Sequence, residues 1–296
     1  MSKNLSIING EFKDSISVYD RGLAYGDGFF ETMLWDSFEE RNQVNIGVEF
    51  WLRHLKRIKD GCKLIQINFP SDEEIIRQRN LILRASLEEK KSGLLKMIVT
   101  RGVGGRGYKF EKNMIPTIIF LSLSKPKVKK EYFESGVVVK ICKTALSKNT
   151  NLFGHKHLNR LDSVLARSEW KDKKIFEGVF VDSKNNILEG TMTNIFFVHQ
   201  KTLFTPPIID SGINGVMRQV IIDKAKSFFE KVVIQNINLR DIEKFDQMFL
   251  TNSVLKVIPV IRFEEKKFKK EENLTDLINF FNCKNNREKS ERLNLI

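Results

Sequence analysis

Lys156 stands between two histidines, in Phe153-Gly-His-Lys-His-Leu-Asn-Arg-Leu161. A lysine that forms imines must lose its proton part of the time, and nearby positive charge with partial desolvation lowers its pKa. His155, His157 and Arg160 supply candidates for such a setting. Glu189 ends a short apolar run, Ile187-Leu-Glu-Gly190, where a carboxylate is costly unless it is paired. The loop Arg101-Gly-Val-Gly-Gly-Arg-Gly-Tyr108 displays Arg101, Arg106 and Tyr108, a set suited to clasping a carboxylate through the arginine fork. Gly212-Ile-Asn-Gly-Val-Met-Arg218 leads into a helix and exposes the N–H groups of Val216 and Met217 toward an anion. Taken singly, each feature also has a plainer reading: a lysine in a basic loop, a turn glutamate, a solvated glycine loop, an ordinary passage from loop to helix.

These residues need elements to hold them. The N-terminus reads as a hairpin, with residues 5–8 as a strand, Asn9-Gly10 as the turn and a return through Phe12. Trp51, Leu55, Ile58 and Cys62 recur at helical spacing and predict a helix over 49–62; a second follows at 73–90. Residues 94–100 and 117–123 predict strands joined by the glycine-rich loop, and 124–131, polar and carrying Pro126, the interdomain linker. Beyond it, strands are expected at 137–141, 178–181, 194–198 and 232–237, with another ending near 250. Helices are expected at about 158–171, at 214–229 with Asn214 as cap, and at 274–281. Mixed elements in both halves predict an α/β (α+β mixed) chain of two domains: a small one over 1–123 and a larger one over 132–296 that carries Lys156.

Composition narrows the function classes. The chain has 296 residues and a 41% hydrophobic fraction, enough for two packed cores and too apolar for a disordered chain. No apolar run of roughly 18 residues predicts a membrane span, the N-terminus lacks the apolar core of a signal peptide, and the cytoplasm is the expected compartment. The three cysteines, Cys62, Cys142 and Cys283, are far apart, and the four histidines form no ligand pattern, so neither a disulfide framework nor a metal site is expected. The net charge of +13 is spread along the chain with few interleaved aromatics, which predicts a solvated lysine-rich surface rather than a nucleic-acid partner. The literal G-x-G-x-x-G at 102–107 runs on toward another strand instead of opening a helix, which argues against a dinucleotide site, and there is no GK[ST].

In this order the pieces resemble the fold-type IV pyridoxal-phosphate enzymes, a superfamily of branched-chain aminotransferases, D-amino-acid aminotransferases and aminodeoxychorismate lyases. The matching pieces are Tyr19-Asp-Arg-Gly22, Tyr25-Gly-Asp-Gly-Phe-Phe-Glu-Thr32, His54-Leu-Lys-Arg57, Lys156, Glu189 with Asn194, Gly212 through Arg218, and Asn252-Ser253 before Pro259-Val260. They run from about Ile8 to Val260. The loop at 101–108, Lys156-His-Leu-Asn-Arg-Leu161 and Gly212-Ile-Asn-Gly-Val-Met-Arg-Gln219 are similar to the lyase forms; Leu161 stands where the branched-chain enzymes have a tyrosine. Glu31 departs from that pattern, being an acidic residue common in the transaminases. The resemblance implies a D-amino-acid-aminotransferase-like fold, a homodimer and pyridoxal 5'-phosphate. It implies that Lys156 forms the internal aldimine and shuttles protons, and that Glu189 pairs with the pyridinium nitrogen with Asn194 beside it. It implies that Arg57, Ser253 and the N–H groups of Val216, Met217 and Val254 hold the phosphate. Thr32 would present a hydroxyl near the reacting carbon, and Arg106, Tyr108 and Asn252 would bind substrate. The implied reaction is conversion of 4-amino-4-deoxychorismate to 4-aminobenzoate and pyruvate, for folate synthesis; the alternative is D-amino-acid or branched-chain transamination.

Overall fold

In the computed structural model, which describes residues 4–40, 43–282 and 293–295, the chain forms two units. The first holds the described residues up to Pro126, with His155–Asn159 and a short strand at 293–295. Lys156 therefore groups with the N-terminal unit, although the sequence on either side of it belongs to the second.

The first unit is built on β1 (Leu5–Ile8), β2 (Glu11–Phe12), β3 (Gly28–Glu40), β4 (Gln43–Glu49), β5 (Ser92–Thr100) and β6 (Thr117–Leu123). With β16 (Leu293–Leu295) they form a seven-stranded sheet in the order β16-β4-β3-β5-β6-β1-β2, antiparallel throughout. Strand alternation decides what each residue faces. Phe29, Glu31, Met33 and Trp35 of β3 are all buried, so a carboxylate occupies one position of an otherwise apolar row. Helix α1 (Arg21–Tyr25) precedes β3, with Asp20 Oδ1 accepting from Gly22 N at its start. Helix α2 (Trp51–Leu64) lies on β3 and buries Trp51, His54, Leu55, Ile58 and Cys62, so the apolar stripe expected there carries one histidine. Helix α3 (Asp72–Leu87) is capped by Ser71 and has three acidic residues in its first turn, where the helix dipole favours them. Neither β3 nor β4 is expected from the sequence pattern, because β3 has apolar residues on both faces and no turn dipeptide marks its return.

The second unit holds β7 (Val137–Ile141), β8 (Ile175–Val181), β9 (Ile187–Gly190), β10 (Asn194–His199), β11 (Thr202–Thr205), β12 (Lys231–Ile234), β13 (Gln247–Asn252), β14 (Lys256–Phe263) and β15 (Lys266–Lys267). The sheet runs β12-β11-β10-β13-β14-β7-β8-β9, with β15 paired to β14. Its pairings are antiparallel except β11–β12, β14–β7 and β7–β8. Val139, Ile195, Phe197, Met248, Leu250 and Ile258 are among its core. Its helices are α4 (Glu131–Glu134), α5 (Leu161–Ser168), α6 (Val216–Lys224) and α7 (Glu272–Asn282). Two expected helices are shorter than their periodicity suggests. The one expected over 158–171 begins at Leu161, because residues before it run extended: Leu158 N donates to Gly28 O at 3.0 Å. The one expected over 214–229 is α6 followed by a 3-10 turn, Ala225–Ser227; its cap is Gly215, and Asn214 Oδ1 instead accepts from Arg218 Nη1 at 3.0 Å. Among the described residues no helix is long and apolar enough to cross a membrane. Cys283 lies outside the described residues.

Candidate active site

In the first unit, Lys156 is fixed through its main chain. Phe30 N donates to Lys156 O at 2.9 Å, and His157 forms a bridge with Phe29. The Lys156 Nζ lies 4.5 Å from the centre of the Phe30 ring. Thr32 lies two residues along β3 from Phe30, on the same face, while Glu31 faces the opposite side. His155 packs edge-on against Phe29 at 6.0 Å, and its ring bonds the Arg57 main chain. Burial holds the His155 pKa below its ordinary value of 6.5. Burial thus works against a positive charge on His155, one of the three groups named as a setting for Lys156.

Arg57 is turned onto Glu31. Its Nε donates to Glu31 Oε1 at 2.7 Å and its Nη2 to Oε2 at 2.6 Å, while His54 Nδ1 lies 2.6 Å from the same Oε2. Burial pushes the Glu31 carboxyl up, but the charges of Arg57 and His54, with their hydrogen bonds, outweigh it and hold it at about 2. The departure at Glu31 is thus an ion-pair position.

The glycine-rich loop divides into a buried and an exposed part. Arg101 is 4% exposed, and it donates to both oxygens of Asp27 and to the carbonyls of Ile65 and Gln66. Its guanidinium sits 3.7 Å over Phe110. The expectation that Arg101 is displayed for a carboxylate is corrected: the fork is filled by Asp27. Burial raises the Asp27 pKa, yet hydrogen bonds from Arg101 and Arg21 bring it below its ordinary value. Arg106 and Tyr108 are exposed. They sit on a loop that Arg21 holds through Gly107 O at 2.9 Å and Tyr108 O at 3.2 Å, with Gly107 N donating to Tyr25 Oη. Arg21 and Asp27 belong to matched motifs, but the sequence offered no sign of what they anchor.

The second unit brings Glu189, Asn194 and the start of α6 together. Glu189 is 5% exposed; its Oε2 accepts from Ile213 N at 2.8 Å and from Asn194 Nδ2 at 3.4 Å. Asn194 Nδ2 also donates to Ile213 O at 2.8 Å. Glycine is needed here twice over. Gly212 has φ +80°, and a Cβ on Gly215 would stand 2.1 Å from Asn194 Oδ1. No side chain caps α6, so its first N–H groups, those of Val216 and Met217, have neither an intrahelical partner nor a cap. Electrostatic interaction with Glu189 reaches Arg160 and Arg218.

Ser253 lies in a turn closed by Asn252, whose Oδ1 accepts from Val254 N at 2.9 Å and Leu255 N at 2.8 Å. The Val254 N–H, which the resemblance directs to a phosphate, is thus on Asn252. The Asn252 Nδ2 donates to Met192 O at 3.2 Å. Lys256, at φ 62°, returns its Nζ to Ser253 O at 3.1 Å. Glu177 is a residue that sequence reasoning missed. Fully buried, it accepts from Gly178 N, Thr191 Oγ1, Met192 N and Thr193 Oγ1. It thereby shapes the loop between Glu189 and Asn194, and burial raises its pKa. Burial pushes the thiols of Cys62 and Cys142 up to about 12, which disfavours the thiolate form.

Residues 28–263 match the family model for class IV aminotransferases. The chain is 31% identical over 253 residues to an aminodeoxychorismate lyase of Vibrio harveyi, covering 86% of this chain and 89% of that one. It is equally 31% identical, over 263 residues and 87% of each chain, to a protein of Methanocaldococcus jannaschii provisionally named a branched-chain-amino-acid aminotransferase. The crystal structure of 4-amino-4-deoxychorismate lyase from Pseudomonas aeruginosa superposes with a TM-score of 0.82 at 33% identity, over 92% of this chain and 96% of that one. On this match and these relatives, the chain belongs to the class IV aminotransferase family of pyridoxal 5'-phosphate-dependent enzymes.

Proposed function

We propose that this enzyme is a lyase converting 4-amino-4-deoxychorismate to 4-aminobenzoate and pyruvate. The observation that carries the reading is the joint likeness, above 30% over most of both chains, to a curated lyase and to a solved one. The loop carrying Arg106 and Tyr108 agrees with it.

The residues present fit the cofactor. In the first unit, Lys156 and Arg57 lie on neighbouring elements, linked by the bond from the His155 ring to the Arg57 main chain. In the second, a buried carboxylate, Glu189, lies against the close backbone approach at Gly212, where a Cβ would meet Glu189 Oε2 at 3.1 Å. When bound, pyridoxal 5'-phosphate supplies an electron sink for carbanion chemistry. We assign Lys156 to hold it covalently, Glu189 to its ring nitrogen with Asn194 orienting that carboxylate, and Arg57, Ser253, Val216 N and Met217 N to its phosphate.

The chain's own part in the reaction is proton management and positioning. Lys156 Nζ takes the proton from the amine-bearing carbon of the substrate. The bond from the ring carbon to the enolpyruvyl oxygen breaks, aromatisation drives it, and the enol leaves to become pyruvate. Thr32 Oγ1 is suited to help the departing oxygen as an acid. The substrate has no carboxylate on its amine-bearing carbon, so its carboxylates need positive groups set away from the reacting atom, a role we give to Arg106 with Tyr108. A homodimer is part of the proposal. Leu161, Val164 and Leu165 of α5 are 73%, 61% and 56% exposed, an apolar face suited to a second copy.

The second reading, transamination, is favoured by the Methanocaldococcus jannaschii relative. Incubation with 4-amino-4-deoxychorismate, following 4-aminobenzoate and pyruvate together, tests the proposal. Conversion of D-alanine or leucine with 2-oxoglutarate and no aminobenzoate would replace the lyase by a transaminase.

A further inference from the structure

Within the first unit, the glycine-rich loop is held differently at its root and at its tip. Packing holds the root. A Cβ on Gly102 would stand 1.9 Å from Ile115 O, and one on Gly104 2.9 Å from Arg21 Cδ. The main chain is pinned there too: Arg21 N donates to Gly102 O at 2.9 Å, and Gly104 N to Tyr19 O at 3.2 Å. The tip has no such packing. A Cβ on Gly105 or Gly107 would meet nothing within 4 Å, and Tyr108 is 85% exposed. Ordering a glycine-rich tip costs chain entropy that packing does not offset. Two side chains beneath it supply the hold. Arg21 Nη1 donates to Gly107 O at 2.9 Å and Nη2 to Tyr108 O at 3.2 Å. Tyr25 Oη accepts from Gly107 N at 3.1 Å, and its ring lies 5.5 Å from that of Tyr108. Arg21 is itself fixed: it is 4% exposed, its Nε donates to Asp27 Oδ2 at 2.9 Å, and its guanidinium lies 4.8 Å over the Tyr25 ring. All three guanidinium nitrogens are thus in use, two of them on the carbonyls that directly follow Arg106.

We propose that Arg21 is a positioning residue for substrate: by fixing the main chain at Gly107 and Tyr108 it sets where Arg106 and Tyr108 meet the substrate's carboxylates. It therefore governs affinity for the substrate rather than the rate of the chemical step. The proposal rests on the substrate role given to Arg106 and Tyr108 above. The physical reason is preorganisation. A loop ordered in the fold does not have to be ordered again when substrate binds, so the entropy cost leaves the binding step. A lysine at this position would keep the positive charge and could still pair with Asp27. It would lose the planar fork that reaches one carboxylate and two carbonyls at once. Comparing arginine with lysine thus holds charge constant and reads geometry.

The test compares the full-length holoenzyme as wild type, Arg21→Lys and Tyr25→Phe, by two readouts. The first is brief tryptic digestion, with the cut between Arg106 and Gly107 followed by mass spectrometry, which reads the loop whatever the substrate. That cut should be faster in both variants, because a loosened loop enters a protease more readily. The second is steady-state kinetics with 4-amino-4-deoxychorismate. KM should rise about tenfold in Arg21→Lys and about threefold in Tyr25→Phe, the sizes of one charge-assisted and one neutral hydrogen bond lost. The kcat and the near-visible absorption should change little. In an Arg106→Ala background, Arg21→Lys should raise KM no further. Tyr25→Phe serves alone, with the same outcomes, if Arg21→Lys does not fold. An unchanged KM, or an effect that adds in full to that of Arg106→Ala, would overturn the proposal. So would a fall in kcat and in near-visible absorption at constant KM, the pattern of a purely structural residue. A wild type that forms no 4-aminobenzoate fails at the lyase reading itself and takes the proposal with it, whatever the tryptic result.

Discussion

The main chain of Lys156 accepts a hydrogen bond from Phe30 N at 2.9 Å, and its Nζ stands 4.5 Å from the centre of the Phe30 ring. A strand of the first unit thus sets the position of the lysine on which the proposed chemistry depends, and Thr32 follows on the same face.

Lys156→Ala should abolish the near-visible absorption of the purified protein and the borohydride-reducible adduct. Turnover should fall by on the order of a thousandfold or more, the contribution of a lost proton carrier. Spectroscopy and peptide mapping after reduction check this; a reducible adduct on another lysine would reassign the anchor.

Glu189→Gln should retain cofactor and lower the rate by on the order of a hundredfold or more, since an amide cannot keep the ring nitrogen protonated. Cofactor stoichiometry and kcat measured on the same preparation separate the two effects. Near wild-type turnover would move the partner of the ring nitrogen elsewhere.

Glu31 makes stability depend on pH. Its carboxyl is lowered from 4.5 to about 2 in the fold, so the unfolded chain binds its proton more readily. The contribution is fully present above pH 4.5 and is lost as pH falls toward 2, and it amounts to on the order of 3 kcal/mol. Denaturant unfolding of wild type and Glu31→Gln from pH 6 to about 2 should show the stability gap closing across that window. A gap independent of pH would remove the linkage.

Glu177→Gln should destabilise by about 1–3 kcal/mol, because an amide nitrogen cannot accept from N–H and O–H donors that now meet a carboxylate. Four donors converge on Glu177, two of them the Met192 and Gly178 N–H groups. Chemical denaturation checks the loss. An unaltered midpoint would show that the 191–193 loop needs no carboxylate beneath it.

Local pattern made much of this protein legible. Trp51, Leu55, Ile58 and Cys62 fall on one face of α2 as their spacing predicts, and β7 covers the expected 137–141. The order of Lys156, Glu189 and the glycines before α6 carried the resemblance to the family, while turns and apolar periodicity, which depend on neighbours in the chain, carried the elements. Partners through space are not written there. Arg101 and Arg106 look alike in the glycine-rich loop, yet one is filled by Asp27 and the other is exposed. Arg57 has the same neighbours in sequence whether or not Glu31 grips it, and Glu177 gives no local hint of the four donors it gathers. Residue type and spacing determined which groups can ionise and which face of a helix they share. Only the packing of β3 against α2, and of the 191–193 loop over β8, decided which charges are paired. Desolvation and hydrogen-bond geometry, set by residues far apart in the chain, fix those pairings.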